Sequence, residues 1–101
     1  MAEIEQLVEQ LIKDNKIAVF SKTYCPYCTA TKNLFKQLGV KPEVIELDTR
    51  NDGAAIQNYL QTKSGQRTVP NIFINGQHIG GNSDLQTAHS TGRLEKLLTA
   101  A

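Results

Sequence analysis

The chain has two thiols, and they stand one short step apart in Thr23-Tyr24-Cys25-Pro26-Tyr27-Cys28. Cysteines at that spacing can form half of a metal site, cycle between dithiol and disulfide, or fill a core. A structural zinc ion wants four thiolate or imidazole ligands, with paired histidines roughly three to five residues apart. The histidines, His78 and His89, have ten residues between them, and no second cysteine pair exists, so no metal ligands are assigned. Both read as surface residues. Redox cycling requires one reactive sulfur and a second within reach of it. Exchange proceeds through the thiolate, so the surroundings that favour the anion single out the nucleophile.

Those surroundings follow from the flanking elements. Ile17-Ala18-Val19-Phe20-Ser21 is a nearly continuous apolar run, the pattern of a strand covered on both faces. Directly after it, Pro26 fits the first turn of a helix, where a missing N–H is no loss. Cys25 then lies at or next to the helix N-cap, facing unpaired N–H groups and the positive end of the dipole, which favour a thiolate. Lys22 and Lys32 add positive charge nearby in sequence. Cys28 falls one helical turn deeper on the same face. The reading is an exposed nucleophile at Cys25 and a shielded resolving thiol at Cys28.

The remaining elements must hold that turn in place. Ile4, Leu7, Val8, Leu11 and Ile12 predict an amphipathic first helix ending near Asp14-Asn15. Leu34, Phe35 and Leu38 continue the helix begun at the cysteines, and Gly39 with Pro42 stops it. Glu43 to Leu47 alternates as a strand, and Ala55, Ile56, Tyr59 and Leu60 mark a helix closed by Gly65. Asn75-Gly76 between Asn71-Ile72-Phe73-Ile74 and Gln77-His78-Ile79 predicts a type I′ hairpin. A helix follows from Ser83 to Ala88, with Ser83 and Gln86 spaced as a capping box, and Leu94, Leu97 and Leu98 mark a last short one. The order α-β-α-β-α-β-β-α-α implies an α/β fold, a four-stranded mixed sheet with helices on both faces. In such sheets ligands collect where a strand's carboxyl end meets the next helix, which is where Cys25 lies.

Composition sets the context. At 101 residues and 11.2 kDa the chain suits one domain spanning 1–101. A net charge of +1 gives no field for nucleic acid or an anionic membrane. No apolar run approaches the roughly 20 residues of a bilayer span. The opening Met1-Ala2-Glu3-Ile4-Glu5 has two acids and no arginine, unlike a signal or transit peptide. Cysteine usage favours a reducing compartment, and the cytoplasm is the expectation; an organelle form that has lost a presequence fits the same residues.

Three motifs in this order carry a resemblance: Thr23-Tyr24-Cys25-Pro26-Tyr27-Cys28, then Gly65-Gln66-Arg67-Thr68-Val69-Pro70-Asn71-Ile72-Phe73-Ile74, then Gly80-Gly81-Asn82-Ser83-Asp84. Together they resemble the dithiol glutaredoxins, and the Gly-Gly-Asn-Ser-Asp form is most similar to fungal members. Thioredoxins share the architecture but usually carry Trp-Cys-Gly-Pro-Cys, and this chain has no tryptophan. The resemblance covers nearly the whole chain. It implies a thioredoxin-like fold, a cis Pro70, and a glutathione-dependent thiol–disulfide oxidoreductase acting through Cys25 and Cys28. Glutathione is then the co-substrate, with no metal or nucleotide needed. Partners are glutathionylated and disulfide-containing proteins, the chain acting as a monomer without nucleic acid or membrane. For glutathione the resemblance implies Tyr27 beside the thiol and Thr68, Val69 and Pro70 along the peptide backbone. It places Gly81, Asn82, Ser83 and Asp84 at the γ-glutamyl end, and Lys22 and Gln57 at the glycyl carboxylate. Gly80-Gly81 would let backbone approach closely. Arg67 ranks below Lys22 as a carboxylate partner. Two rivals stand beside this: a thioredoxin reduced by a flavoprotein, and a non-enzymatic iron–sulfur carrier, which Pro26 and the dithiol motif disfavour.

Overall fold

The computed structural model describes residues 2–100. The elements run α1 (Ala2–Asp14), β1 (Ile17–Ser21), α2 (Pro26–Gln37), β2 (Glu43–Glu46), α3 (Gly53–Ser64), β3 (Asn71–Ile74), β4 (Gln77–Gly80), α4 (Asn82–Ser90) and α5 (Arg93–Thr99). All five residues of β1 are buried, because β1 is an inner strand of a sheet ordered β2-β1-β3-β4 that helices cover on both faces. It pairs parallel with β2, Phe20 opposite Ile45, and antiparallel with β3, Phe20 opposite Asn71.

The period-two alternation of side chains sorts the core into two halves. Ile17, Val19, Ile72 and Ile74 point to the face covered by Leu34 and Phe35 of α2, Leu85 and Ala88 of α4 and Leu94 of α5. Ala18, Phe20, Ile45 and Phe73 point to the other, against Val8 and Ile12 of α1 and Ile56 and Leu60 of α3. On that second face the rings of Phe20 and Phe73 meet edge to face, centroids 6.0 Å apart at 88°. Such a pair adds about 0.5–1.5 kcal/mol beyond the area it buries. The mixed sheet with helices on both faces is thus the expected one.

The hairpin is also as expected: Asn75 (φ +53°) and Gly76 (φ +78°) are both left-handed, as a type I′ turn requires. Three details differ from the reading of the sequence. Leu47 leaves the strand for a single 3₁₀ turn, Leu47–Thr49, because its side chain turns into the α1/α3 face of the core. β4 reaches Gly80, with a register shift between Ile72 and Phe73. The third concerns the start of α4. Ser83 is not its cap; Gly81 is, and the Asp84 carboxylate, rather than Gln86, reaches back to accept the Gly81 N–H at 2.9 Å. The helix starts one residue earlier than predicted because Asp84, three positions after Gly81, supplies the acceptor.

Strand directions then decide which loops meet. β1 and β3 are antiparallel neighbours, so the end of β1 and the beginning of β3 lie side by side. The segment from Lys22 to Cys25 and the segment from Gly65 to Pro70 therefore emerge from the same end of the sheet. The Asn75-Gly76 turn and the Lys16 entry to β1 lie at the opposite end, where the Asn75 N–H donates to the Lys16 carbonyl at 2.8 Å.

Candidate active site

Cys25 is the N-cap of α2, with Pro26 in the first turn behind it. A backbone bond from Cys25 N–H to Lys22 C=O, 3.2 Å, closes the turn that delivers it there. Upstream, Asp48 fixes the turn by accepting the Thr23 N–H at 3.0 Å and the Thr23 hydroxyl. The same two donors hold the Asp48 carboxyl below the ordinary carboxylate range, the hydroxyl contributing most. The Cys25 sulfur accepts the Cys28 backbone N–H at 3.2 Å, the kind of unpaired helix-start donor that stabilises a thiolate. On its other side the thiol faces the Val69 carbonyl at 3.8 Å.

Both cysteines are free thiols. Cys25 is only 9% exposed, less than the open nucleophile the sequence suggests, because the helix start and the Val69 carbonyl cover it from two sides. Cys28 is wholly buried at 0%. Burial, and next the Cys25 thiol beside it, push the Cys28 thiol above its ordinary value; a Lys22 backbone group and the Ser21 hydroxyl pull it partly back. Lys32 does not serve the thiols as its sequence position suggests. Its ammonium pairs with the Glu46 carboxylate at 2.5 Å, tying α2 to β2.

A groove of about 470 Å³ opens beside Cys25, lined by Tyr27, Thr68, Val69, Pro70, Gly81, Asn82 and Ser83. The Val69–Pro70 peptide bond is cis. Tyr27 stands up from the rim at 67% exposed, and Tyr24 flanks the thiol on the chain's approach at 72%. Asn82 is fixed by the buried Thr31 hydroxyl, which donates to its Oδ1 at 3.0 Å and ties α4 to α2. A second groove of about 490 Å³ lies at the other end of the sheet, around Lys16, Asn75 and Gly76, whereas the first has Val69, whose carbonyl faces the Cys25 thiol, in its wall. The chemistry belongs to the smaller one.

Seven of the residues named for glutathione thus surround one groove; Lys22, Gln57 and Asp84 stand outside its lining. Gln57 donates its side-chain amide to the Arg67 carbonyl at 2.8 Å, and the Arg67 guanidinium lies on Asn58 and Gln61 of α3. Asp84 caps α4, as described. Of the two glycines, only Gly80 is crowded: a Cβ there would sit 2.3 Å from Asp84 Oδ2, and its φ is +122°. At Gly81 a Cβ would meet nothing nearer than 3.6 Å, so the close approach belongs to Gly80.

Sequence reasoning missed Thr31, Asp48 and Gln66. Thr31 and Asp48 act on partners whose proximity only the fold creates, Asn82 and Thr23, while Gln66 acts within its own loop, on the carbonyls on either side of Val69. No periodicity marks them.

Comparison with known proteins agrees with this geometry. The glutaredoxin family model matches residues 17–79. Glutaredoxin-1 of Saccharomyces cerevisiae is 56% identical over 95 residues, covering 90% of this chain and 86% of that one. A glutaredoxin of Ricinus communis is 55% identical over 93 residues, covering 92% and 91%. The crystal structure of a buckwheat glutaredoxin–glutathione complex superimposes with a TM-score of 0.95 at 49% identity, covering 97% of this chain and 89% of that one. The fold is thioredoxin-like, and the chain belongs to the glutaredoxin family, oxidoreductases that act on glutathione and on disulfides.

Proposed function

We propose that this glutaredoxin reduces protein–glutathione mixed disulfides and protein disulfides, with Cys25 as nucleophile, Cys28 as resolving thiol and the groove beside them as the glutathione site. One observation carries the assignment: the Cys25 sulfur faces the Cys28 N–H at the helix start and the carbonyl of Val69, a wall residue of the groove formed by Thr68 to Pro70 and Gly81 to Ser83. The related buckwheat protein was crystallised with glutathione, which supports the same co-substrate here.

The chemistry balances as follows. The Cys25 thiolate attacks the glutathione sulfur of a protein–S–S–glutathione disulfide. A Cys25–glutathione disulfide forms, and the protein leaves as a thiolate that takes up a proton. A second glutathione, as thiolate, attacks the glutathione sulfur held on Cys25. Oxidised glutathione departs and the Cys25 thiolate returns. With a protein disulfide, the Cys25 thiolate attacks one protein sulfur and joins to it, and the other protein sulfur leaves as a thiolate that takes up a proton. Cys28 then loses its proton and attacks the Cys25 sulfur, expelling the protein thiolate and leaving Cys25–Cys28. One glutathione thiolate attacks the Cys25 sulfur and frees Cys28, and a second attacks the glutathione sulfur on Cys25, releasing oxidised glutathione and the Cys25 thiolate. The helix-start N–H stabilises charge on Cys25 both when it attacks and when it leaves.

Val69 presents backbone to an extended peptide, a one-residue strand addition that suits the middle of glutathione. The start of α4 offers N–H groups of Asn82 and Ser83 to the γ-glutamyl carboxylate. Lys22, half-buried at the entry to the turn, supplies a cation for the glycyl carboxylate. A cytoplasmic location suits chemistry that draws on reduced glutathione, and a monomer suffices because both thiols and the groove come from one chain.

The decisive assay is glutathione-dependent reduction of a mixed disulfide, coupled to NADPH through glutathione reductase. Turnover is expected for the wild type and none for Cys25→Ser. Turnover supported by a thioredoxin reductase instead of glutathione would overturn the assignment.

A further inference from the structure

The segment from Gln66 to Pro70 belongs to no helix or strand, yet nearly all of its carbonyls are held. The Gln66 carbonyl accepts Asn71 Nδ2 at 3.3 Å, and the Arg67 carbonyl accepts Gln57 Nε2 at 2.8 Å. The carbonyls of Thr68 and Pro70 both accept Gln66 Nε2, each at 3.0 Å. Three side-chain amides therefore hold four carbonyls. The one left over is that of Val69, which meets only the Cys25 thiol at 3.8 Å. Among the described residues the Val69 N–H has no hydrogen-bond partner either.

Gln66 is at the centre of this arrangement. An amide nitrogen has two hydrogens, and here each points to a carbonyl on one side of Val69. The assignment of nitrogen over oxygen follows from the partners: an amide oxygen in that place would face two acceptors. The base of the side chain is fixed as well, since the Gln66 N–H donates to Ser64 Oγ at 3.2 Å. Gln66 also reaches the second wall of the groove, its Nε2 lying 3.9 Å from where a Gly81 side chain would begin. By drawing the Thr68 and Pro70 carbonyls inward to one donor, Gln66 turns the Val69 peptide groups outward to the groove.

We propose that Gln66 is a positioning residue that sets specificity for glutathione: it holds the Val69 N–H unpaired and the Val69 C=O free of any partner but the Cys25 thiol, both aligned for the cysteinyl backbone of the substrate. This rests on the groove beside Cys25 being the glutathione site. A disulfide partner that has a sulfur but no peptide backbone gains nothing from Gln66.

The test is a ratio. One peptide thiol is prepared as its mixed disulfide with glutathione and, separately, with 2-mercaptoethanol, and kcat/KM is measured for both on the same enzyme sample. Because both values come from one sample, the ratio is independent of the fraction that is folded. Wild type should prefer the glutathionyl substrate strongly. Gln66→Met keeps the length and loses both donors; it should lower the preference about tenfold, the loss of roughly 1.4 kcal/mol expected for hydrogen bonds of this kind. Gln66→Glu keeps the shape but turns the donors into acceptors, so it should fall below the Met variant. Either variant retaining the wild-type ratio within twofold would overturn the role of Gln66. So would a Glu variant no worse than Met. A wild-type ratio near one would overturn the glutathione groove itself, and this proposal with it.

Discussion

Cys28 has no access to solvent, and that burial separates its chemistry from that of Cys25. Its thiol is pushed above the ordinary range, burial being the first cause and Cys25 the second. A folded-state value above the unfolded one means that the neutral thiol favours the fold. That contribution is complete below the ordinary thiol range and is lost as pH rises through the higher folded value. In Cys25→Ser the remaining thiol should therefore react with iodoacetamide at least roughly tenfold more slowly at mildly alkaline pH than in the same protein unfolded in urea. A rate equal to that of the unfolded chain would contradict the burial argument. Cys28→Ser, in contrast, keeps the backbone N–H that faces the Cys25 sulfur. Deglutathionylation, which needs only Cys25 and two glutathiones, should survive within about twofold, while reduction of protein disulfides should drop at least about tenfold. The steady-state rates of that one variant on the two substrate types check it. The motif Cys25-Pro26-Tyr27-Cys28 made this division of labour legible in the sequence, because Pro26 fixes where the helix starts. Gln66 was not legible, since it lies in a loop with no repeating pattern, and only its hydrogen bonds show that one amide nitrogen serves both carbonyls.

Among the elements, the start of α4 distinguishes two adjacent glycines. Gly80 has a left-handed φ and no room, and an added methyl would displace the Asp84 carboxylate that caps the helix. Gly80→Ala should cost about 2–3 kcal/mol, the sum of a strained conformation and a lost cap. Gly81 has extended backbone and ordinary clearance, so Gly81→Ala should stay within about 0.5 kcal/mol. Urea unfolding of the two variants tests the contrast, and equal losses would refute it. The ion pair between Lys32 of α2 and Glu46 at the end of β2 carries a second prediction. Glu46 Oε1 is buried without a partner, so the carboxylate depends on Lys32 through its other oxygen. Lys32→Met should destabilise by about 1–2 kcal/mol, and the double variant with Glu46→Gln should recover part of that loss. The existence and order of the elements could be read from apolar spacing, since each helix and strand buries one repeating face. Helix starts were less legible: Ser83 and Asp84 both fit a capping pattern, and only the path of the chain at Gly81 selects Asp84.

For the molecule as a whole, the α1/α3 face of the sheet is also joined by charge. Glu9 of α1 meets Lys63 of α3 at 2.8 Å and the Tyr59 hydroxyl at 2.6 Å. Lys63 first, then Tyr59, hold the Glu9 carboxyl below its usual value, and Glu9 in turn pushes the Tyr59 hydroxyl up to about 12. A depressed carboxyl contributes stability above the ordinary carboxylate range and loses it as pH falls. Lys63→Met should therefore lower the melting temperature at neutral pH, by less than about 1 kcal/mol in equivalent terms because the pair is partly exposed, with the difference vanishing in acid. Melting curves of both proteins across the acid range test the sign; a difference that grows in acid would reverse it. At this scale the mixed sheet was readable because a helical crossover implies a parallel pair and a two-residue turn an antiparallel one. The lateral strand order and the α1 to α3 contacts, made by residues some fifty positions apart, were not. The sheet's directionality has a practical consequence. Lys16 and Asn75, at the end remote from the sulfurs, hold the carbonyls of Leu97, Leu98 and Ala100. A fluorescent reporter or electrode tether joined through the tail after α5 would hang from that remote pole, leaving the reactive pole facing the medium with a fixed orientation.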